Sequence, residues 1–337
     1  MSQPVDNVQY LQRDEEAYAL NVIRTGTELE QKTFPPLVWF VHGLIAEGFG
    51  LLTGPPKLGK SWFVLDVLLF VALGESVLGR IAVKKRPVLY LALEDSERRL
   101  QDRIWKLLNN RPVPEQFHYV TDLQGQDPRL VIRLWLDQNP NGLVVVDTLG
   151  KVMPPARPGE GAYERDYRVG GDLKRLADSH PGSAVLAVHH TRKQRGEDWM
   201  DSTSGTNGLN GSADFTINLN RGRNDGSATI RVTGRDVEEN EYAATMKAGQ
   251  WELAAGTLEE AAQIAQMGKK REGIDEDSES TQVLDYVNEN PNGVSPKQVE
   301  AALGLKDNKA GIYLKRHYDQ GRIDKVKRGV YAPFIHK

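Results

Sequence analysis

Gly54-Pro55-Pro56-Lys57-Leu58-Gly59-Lys60-Ser61 fits the spacing G-x-x-x-x-G-K-[ST], and Trp62 follows directly. Glycines at both ends let a loop backbone wrap around phosphate oxygens while its amides point inward at a helix N-terminus. In such a loop the lysine reaches the outer phosphates and the serine hydroxyl takes Mg²⁺. The expectation is therefore a nucleoside-triphosphate site over Gly54–Trp62, with Lys60 as the phosphate cation and Ser61 as a Mg²⁺ ligand.

Downstream polar residues end apolar runs. Asp147 closes Leu143–Val146, which suits a second Mg²⁺ ligand. Glu94 and Asp95 close Val88–Leu93. A carboxylate there can polarise the water that attacks a γ-phosphate. Adjacent residues on an extended chain face opposite ways, so one of the two serves, and Glu94 is favoured. His189-His190-Thr191-Arg192-Lys193 follows Ala184–Val188. Adjacent histidines diverge on an extended backbone, which argues against a metal pair. One of them, His190 or His189, suits a polar sensor of nucleotide state. The segment 194–210 is rich in Gly, Ser, Thr and Asn and reads as a binding loop or a connector.

These groups need elements to hold them. Gly48–Thr53, Val88–Leu93, Leu143–Val146 and Ala184–Val188 are apolar on both faces and alternate with helical patterns, as in a parallel sheet covered on each side. Phe215–Leu219, Ala228–Thr233 and Gln250–Leu253 follow, with Asp225-Gly226 as a hairpin turn between the first two. The expected fold is an α/β core whose mainly parallel sheet is extended by antiparallel strands. The division expected is an N-terminal helical arm at 1–35, with a helix between Val8 and Leu29, a core at 36–256, a charged linker at 257–280 and a small domain at 281–337. The 337 residues include 43 Lys+Arg against 46 Asp+Glu, for a net charge of -3, and no cysteine. That balance excludes a polybasic protein, and the absence of cysteine excludes disulfides, thiol catalysis and cysteine-held zinc. No apolar stretch reaches a membrane span and the N-terminus has no export pattern, so an intracellular, cytoplasmic protein without membrane association is expected.

The chain resembles the RecA-like branch of P-loop ATPases, and within it the RepA-like hexameric helicases of plasmids and phages. The resemblance runs from about Leu37 to Leu253 and is carried by LVWFVHGLIAEGFGLLTGPPKLGKSW, VLYLALEDSERRLQDR, LVVVDTLGKV, AVHHTRK, and NGSADFTINLNR with TGRD after it. It implies a RecA-like core, a ring of subunits with ATP and Mg²⁺ at each interface, Glu94 as the water-activating acid, Asp147 as the Walker B acid and His190 as the sensor. It also implies an arginine finger supplied in trans. Where RepA-like proteins place that arginine, this chain reads Ser212-Ala213-Asp214. Lys193, Arg221, Arg223 and Arg235 are the substitutes.

At the C-terminal end, Thr281–Asn290 has Val283, Leu284 and Val287 on one helical face. Ser295-Pro296 opens a helix that Gly304 stops. A third helix from about Asn308 to Gln320 is expected to bury Ile312 with Leu314 or Tyr318. Ile323–Val326 and Val330–Ala332 flank a turn at Lys327-Arg328-Gly329. Three helices and a basic-tipped hairpin look like a winged helix. The segment Thr281–Lys337 holds ten basic and six acidic residues, so it carries +4 against -7 for the remainder. Lys309, Lys315 and Arg316 on the third helix and Lys325, Lys327 and Arg328 on the hairpin are the expected DNA contacts. Two readings follow. One is a ring motor, a helicase or translocase that hydrolyses ATP on single-stranded DNA, with duplex engaged by the winged helix. The other is an ATP-switched DNA-binding regulator, replication initiator or recombination mediator that does not unwind.

Overall fold

A computed structural model describes residues 20, 22–190, 207–221, 227–305 and 308–334, with the backbone alone at 207 and 269–278. The chain divides into two compact units, Met1–Val38 and Trp39–Lys337. Elements are numbered here in chain order.

In the first unit, α1 spans Gly26–Glu30. Its capping box has the Thr25 hydroxyl accepting from the Glu28 amide (3.2 Å) and the Glu28 carboxylate accepting from the Thr25 amide (3.0 Å). That cap corrects the expectation of one helix reaching Leu29. Thr25 is extended, so a new, short helix starts there. The remainder of the expected helix, Val8 to Ala19, lies outside the described residues.

The second unit opens with the small antiparallel pair β1 (Trp39–Val41) and β2 (Ile45–Ala46). It continues through β3 (Gly48–Gly54), α2 (Lys60–Leu73), β4 (Val88–Ala92), α3 (Glu97–Leu108), β5 (Phe117–Val120), α4 (Pro128–Gln138), β6 (Leu143–Asp147) and α5 (Leu149–Val152). Then come α6 (Ala162–Asp178), β7 (Ala184–His190), α7 (Asn207–Ser212), β8 (Phe215–Arg221), β9 (Ser227–Gly234), β10 (Asn240–Lys247) and β11 (Gln250–Leu253). A nine-stranded sheet has the order β11-β10-β9-β8-β3-β7-β6-β4-β5. From β8 to β5 neighbours are parallel, and β9, β10 and β11 add on antiparallel beyond β8. The result is the expected mainly parallel sheet extended by antiparallel strands.

Four strands are buried along most of their length because helices cover both faces. On one face Ile132 and Leu136 of α4 and Leu173 of α6 pack on Leu51, Leu91 and Val146. Beyond Lys60 and Ser61 of the phosphate loop, α2 is apolar on all faces and mostly buried, as a central helix must be. Its exception is Asp66, 2% exposed, which accepts a hydrogen bond from the Leu78 amide (3.3 Å). Burial raises its pKa to about 7.

The chain ends in α8 (Leu258–Asn288), α9 (Pro296–Leu303), α10 (Lys309–Asp319) and the hairpin β12 (Ile323–Lys327) and β13 (Val330–Pro333). The segment 257–280, expected as a linker from its charge, is helical: α8 runs unbroken through it from the Thr257 cap. Charge and scarce apolar residues argue against a packed core, yet Glu, Lys, Arg and Gln are good helix formers. α9 opens at Ser295-Pro296 and stops at Gly304, as expected. In α10 the buried side chains are Ala310, Tyr313, Leu314 and His317. Leu314 is buried as one of the two alternatives expected, whereas Ile312 and the other alternative, Tyr318, are 48% and 43% exposed. The inward stripe follows i, i+3, i+4, i+7 from Ala310, which leaves Ile312 and Tyr318 on the outer faces. Val283 and Val287 of α8, Val299 of α9 and Ile323 of β12 complete this small core.

Candidate nucleotide site

β3 delivers the chain at Gly54, and α2 takes over at Lys60. Gly59 caps α2 with φ 107°, a conformation that L side chains rarely adopt. A Cβ there would stand 2.9 Å from Met246 Cε, and its carbonyl accepts from Trp251 Nε1 at 3.2 Å. Strands β10 and β11 therefore brace the loop from outside the parallel sheet. Trp251 is fully buried and meets Phe63 of α2 edge-on. Within the loop Leu58 is buried while Pro55, Pro56 and Lys57 are exposed. Trp62 faces away toward α3, with Arg103 and Lys106 over its ring at 5.3 and 5.5 Å.

Lys60 is 4% exposed. Its ammonium donates to the Gly54 carbonyl (2.7 Å) and the Pro55 carbonyl (2.9 Å). Burial lowers its pKa to about 8, against the opposing pull of Asp147 and Glu94. Asp147, at the end of β6, is 3% exposed. Its Oδ2 accepts from the Tyr90 hydroxyl at 2.7 Å, and its Oδ1 is buried with no hydrogen-bond partner. Burial raises the Asp147 pKa, and the hydroxyls of Ser61 and Tyr90 hold it back. A buried carboxylate oxygen left open beside a serine hydroxyl is the donor set a hard divalent cation takes, so Ser61 and Asp147 fit Mg²⁺.

β4 and β6 run side by side, Ala92 opposite Asp147, which brings the next residues of both strands to one edge. Glu94 is 43% exposed in its side chain and accepts from the Thr148 hydroxyl at 2.9 Å. Its neighbour Asp95 is turned away and 7% exposed, in ion pairs with Arg99 (3.2 Å) and Arg103 (2.5 Å) of α3. The two carboxylates thus diverge, and Glu94 is the one that acts electrostatically on Lys60. β7 pairs His189 with Thr53 and His190 with Gly54. His190 is exposed, with Nε2 3.9 Å from Glu94 Oε2. His189 is half-buried, and desolvation lowers its pKa against the field of Asp166. Lys60, Ser61, Glu94, Asp147 and His190 therefore converge at the carboxyl ends of four adjacent parallel strands, where open α/β sheets bind their ligands.

Of the substitute cations, Lys193 and Arg223 lie outside the described residues, as do most of 194–210 and the Asp225-Gly226 turn. The Arg221 guanidinium contacts Met246 Sδ. Arg235 donates to the Gly211 carbonyl at 3.2 Å and stands 3.5 Å from Asp214. Asp214 itself fastens β3 to α6, accepting from the Phe49 amide (2.9 Å) and from Lys174 (2.8 Å). At the C-terminal end Lys309 is paired with Glu279 at 2.8 Å, whereas Lys315, Arg316, Lys327 and Arg328 are exposed. Lys325 lies over the rings of Tyr331 (5.7 Å) and Tyr318 (6.0 Å).

The reading of the sequence omitted Tyr90, Thr148 and Trp251. A lone tyrosine in the aliphatic strand VLYLA was a signal for the first, since a buried phenol needs a partner. Trp251 had no local signal, because its contact with Gly59 spans 192 residues.

An AAA domain model, AAA_25, matches residues 16–196. No curated protein matches the chain. Among solved structures, a DnaB-like replicative helicase, described with its interactions with primase, is 14% identical with a TM-score of 0.49, over 74% of this chain and 68% of that one. The RadB recombinase is 17% identical with a TM-score of 0.43, over 64% of this chain and 93% of that one. At these scores the assignment rests on the domain model.

Proposed function

The chain belongs to the AAA_25 family of AAA domains, and from that premise we propose that it is an ATP-hydrolysing, DNA-binding ring motor. The observation that carries the ATPase reading is the buried, open Oδ1 of Asp147 beside Ser61, at the mouth of the phosphate loop. Lys60 exchanges the Gly54 and Pro55 carbonyls for phosphate oxygens, a trade that favours its charged form. Ser61 and Asp147 would hold Mg²⁺, which when bound would supply charge neutralisation at the phosphates. Glu94, fixed by Thr148, orients and deprotonates the attacking water. His190 sits where a change in the charge near Glu94 reaches the end of β7, and the segment 191–206 starts there.

The resemblance in motifs to RepA-like hexameric helicases supports single-stranded DNA as the polymer on which the ring moves. In such a ring the site is completed in trans, and a head-to-tail interface repeated around an axis closes it. The C-terminal three helices and hairpin, read as a winged helix with a surplus of +4, support a duplex contact. Strand displacement on a forked substrate tests the motor. ATP-dependent displacement that Lys60→Ala abolishes is expected. Equal displacement by both proteins refutes the motor. ATP-dependent duplex binding without displacement identifies the regulator or mediator reading instead.

A further inference from the structure

A cavity of about 460 Å³ lies away from the phosphate loop, between β1 with its following turn, β10 with the loop before it, and the first turns of α8. Its size falls within the range of small-molecule sites. Trp39, His42 and Tyr242 give it aromatic walls, Asp236, Glu238 and Glu259 give it carboxylates, and no lysine or arginine lines it. The Trp39 and His42 rings stand 5.1 Å apart. Gly43 lines the same space, and a Cβ on it would fall 3.4 Å from the Tyr242 hydroxyl and 3.0 Å from Leu258 Cδ1. A side chain there would close the approach to the phenol.

Tyr242 is 5% exposed, yet its hydroxyl has no hydrogen-bond partner among the described residues. Burial raises its pKa first, and the fields of Glu238 and Glu259, which line the same cavity, raise it further. Glu259 is held ionised by its own backbone amide and then by the Thr257 hydroxyl. Asp236 and Glu238 are exposed and make no side-chain hydrogen bond or ion pair among the described residues. A phenolic oxygen waiting for a donor, two unpartnered carboxylates beside the ionised Glu259, and aromatic faces together call for a cation that only donates. An ammonium group brings three donors and no acceptor, and ring faces attract it. An anion meets repulsion here. A metal ion is a poorer match, since no group of three His, Cys, Asp or Glu able to hold one occurs among the described residues.

We propose that this cavity binds an alkylammonium group, its charge between Glu238 and Glu259, its donors on the Tyr242 hydroxyl and its methylenes against Trp39. Two sources share that chemistry: a free polyamine and a lysine side chain of a polypeptide. The site goes beyond the ATPase reading and stands or falls apart from it, because nothing in it touches the phosphate loop.

The test is calorimetric titration of the full chain, free of nucleotide and at low salt, with spermidine and separately with Nα-acetyl-lysine methylamide. Saturable binding by at least one probe is expected. Glu238→Gln with Glu259→Gln weakens it about tenfold or more, as removing two facing charges should. Tyr242→Phe, which removes only the waiting oxygen, weakens it by a smaller factor of about five. Thermal unfolding of each variant without probe reports whether its fold is retained. Tighter binding of spermidine assigns the site to a free polyamine, and tighter binding of the lysine derivative to a polypeptide. No saturable binding of either probe, or equal binding by wild type and a folded double variant, overturns the proposal.

Discussion

Replacing Lys60 by methionine should make the nucleotide-free protein more stable while it loses its ligand. Lys60 is 4% exposed, and its pKa falls from 10.5 to about 8. That shift of roughly 2.5 units corresponds to about 3 kcal/mol by which the fold disfavours the charged lysine. The sign follows from proton counts. Below the folded value both states hold the proton and the penalty is complete. Between the folded and unfolded values the unfolded chain binds more protons, so stability rises with pH until the penalty is gone. Methionine keeps the length of the side chain and never pays that cost. Two charge-assisted hydrogen bonds, to Gly54 and Pro55, are lost with the ammonium and offset part of that gain. Lys60→Met should therefore gain about 1 to 3 kcal/mol over wild type near pH 7, and the gain should shrink by about 2 kcal/mol near pH 9.5. Urea unfolding of the nucleotide-free proteins at both pH values, followed by circular dichroism, measures this. A variant less stable than wild type near neutrality, or a difference that ignores pH, would refute the account of Lys60 as a buried cation kept for phosphate.

Four further outcomes are expected. Asp66, with its pKa raised to about 7, favours the folded state in acid and loses that advantage as pH rises through that value. Asp66→Asn should thus stabilise the protein above neutrality by up to about 4 kcal/mol and give little gain in acid, as thermal unfolding across pH will show. Glu94→Gln should keep nucleotide affinity and slow turnover by about 10² to 10⁴, measured by equilibrium binding and phosphate release. Tyr90→Phe removes a hydrogen bond that lowers the Asp147 pKa, so the acid limb of the hydrolysis profile should move to higher pH while its alkaline limb stays. Replacing Lys325, Lys327 and Arg328 together by alanine should reduce the slope of duplex affinity against salt by about 3, read by fluorescence anisotropy at several salt concentrations.

The phosphate loop was legible because its chemistry is written in consecutive residues. The strands beneath it were legible because burial on both faces demands unbroken apolar runs. Alternation along an extended chain separates Glu94 from Asp95 but does not choose between them; the Arg99 and Arg103 pairs that turn Asp95 away are contacts made by the fold. Less of the antiparallel edge could be read. There β10 alternates weakly, and at the opposite, parallel edge β5 is exposed at its middle residues, so neither makes a strong pattern. α8 was misread because solvated charge looks alike in a linker and on a helix. In α10 Leu314 was read as a core candidate but Ile312 was misplaced, and the buried pair of His317 with Ser280, which draws a polar residue inward, had no sequence signature. Contacts over long separations, such as Trp251 on Gly59 and Asp214 on the Phe49 amide, are made by the fold alone.

The rate of ATP hydrolysis without DNA, with single-stranded DNA and with duplex, taken against Lys60→Ala as background, tests the central claim most directly. A Lys60-dependent rate raised severalfold by single strands is the predicted result. A rate that Lys60→Ala leaves unchanged would contradict the assignment of the site, and a Lys60-dependent rate indifferent to single strands would contradict the motor.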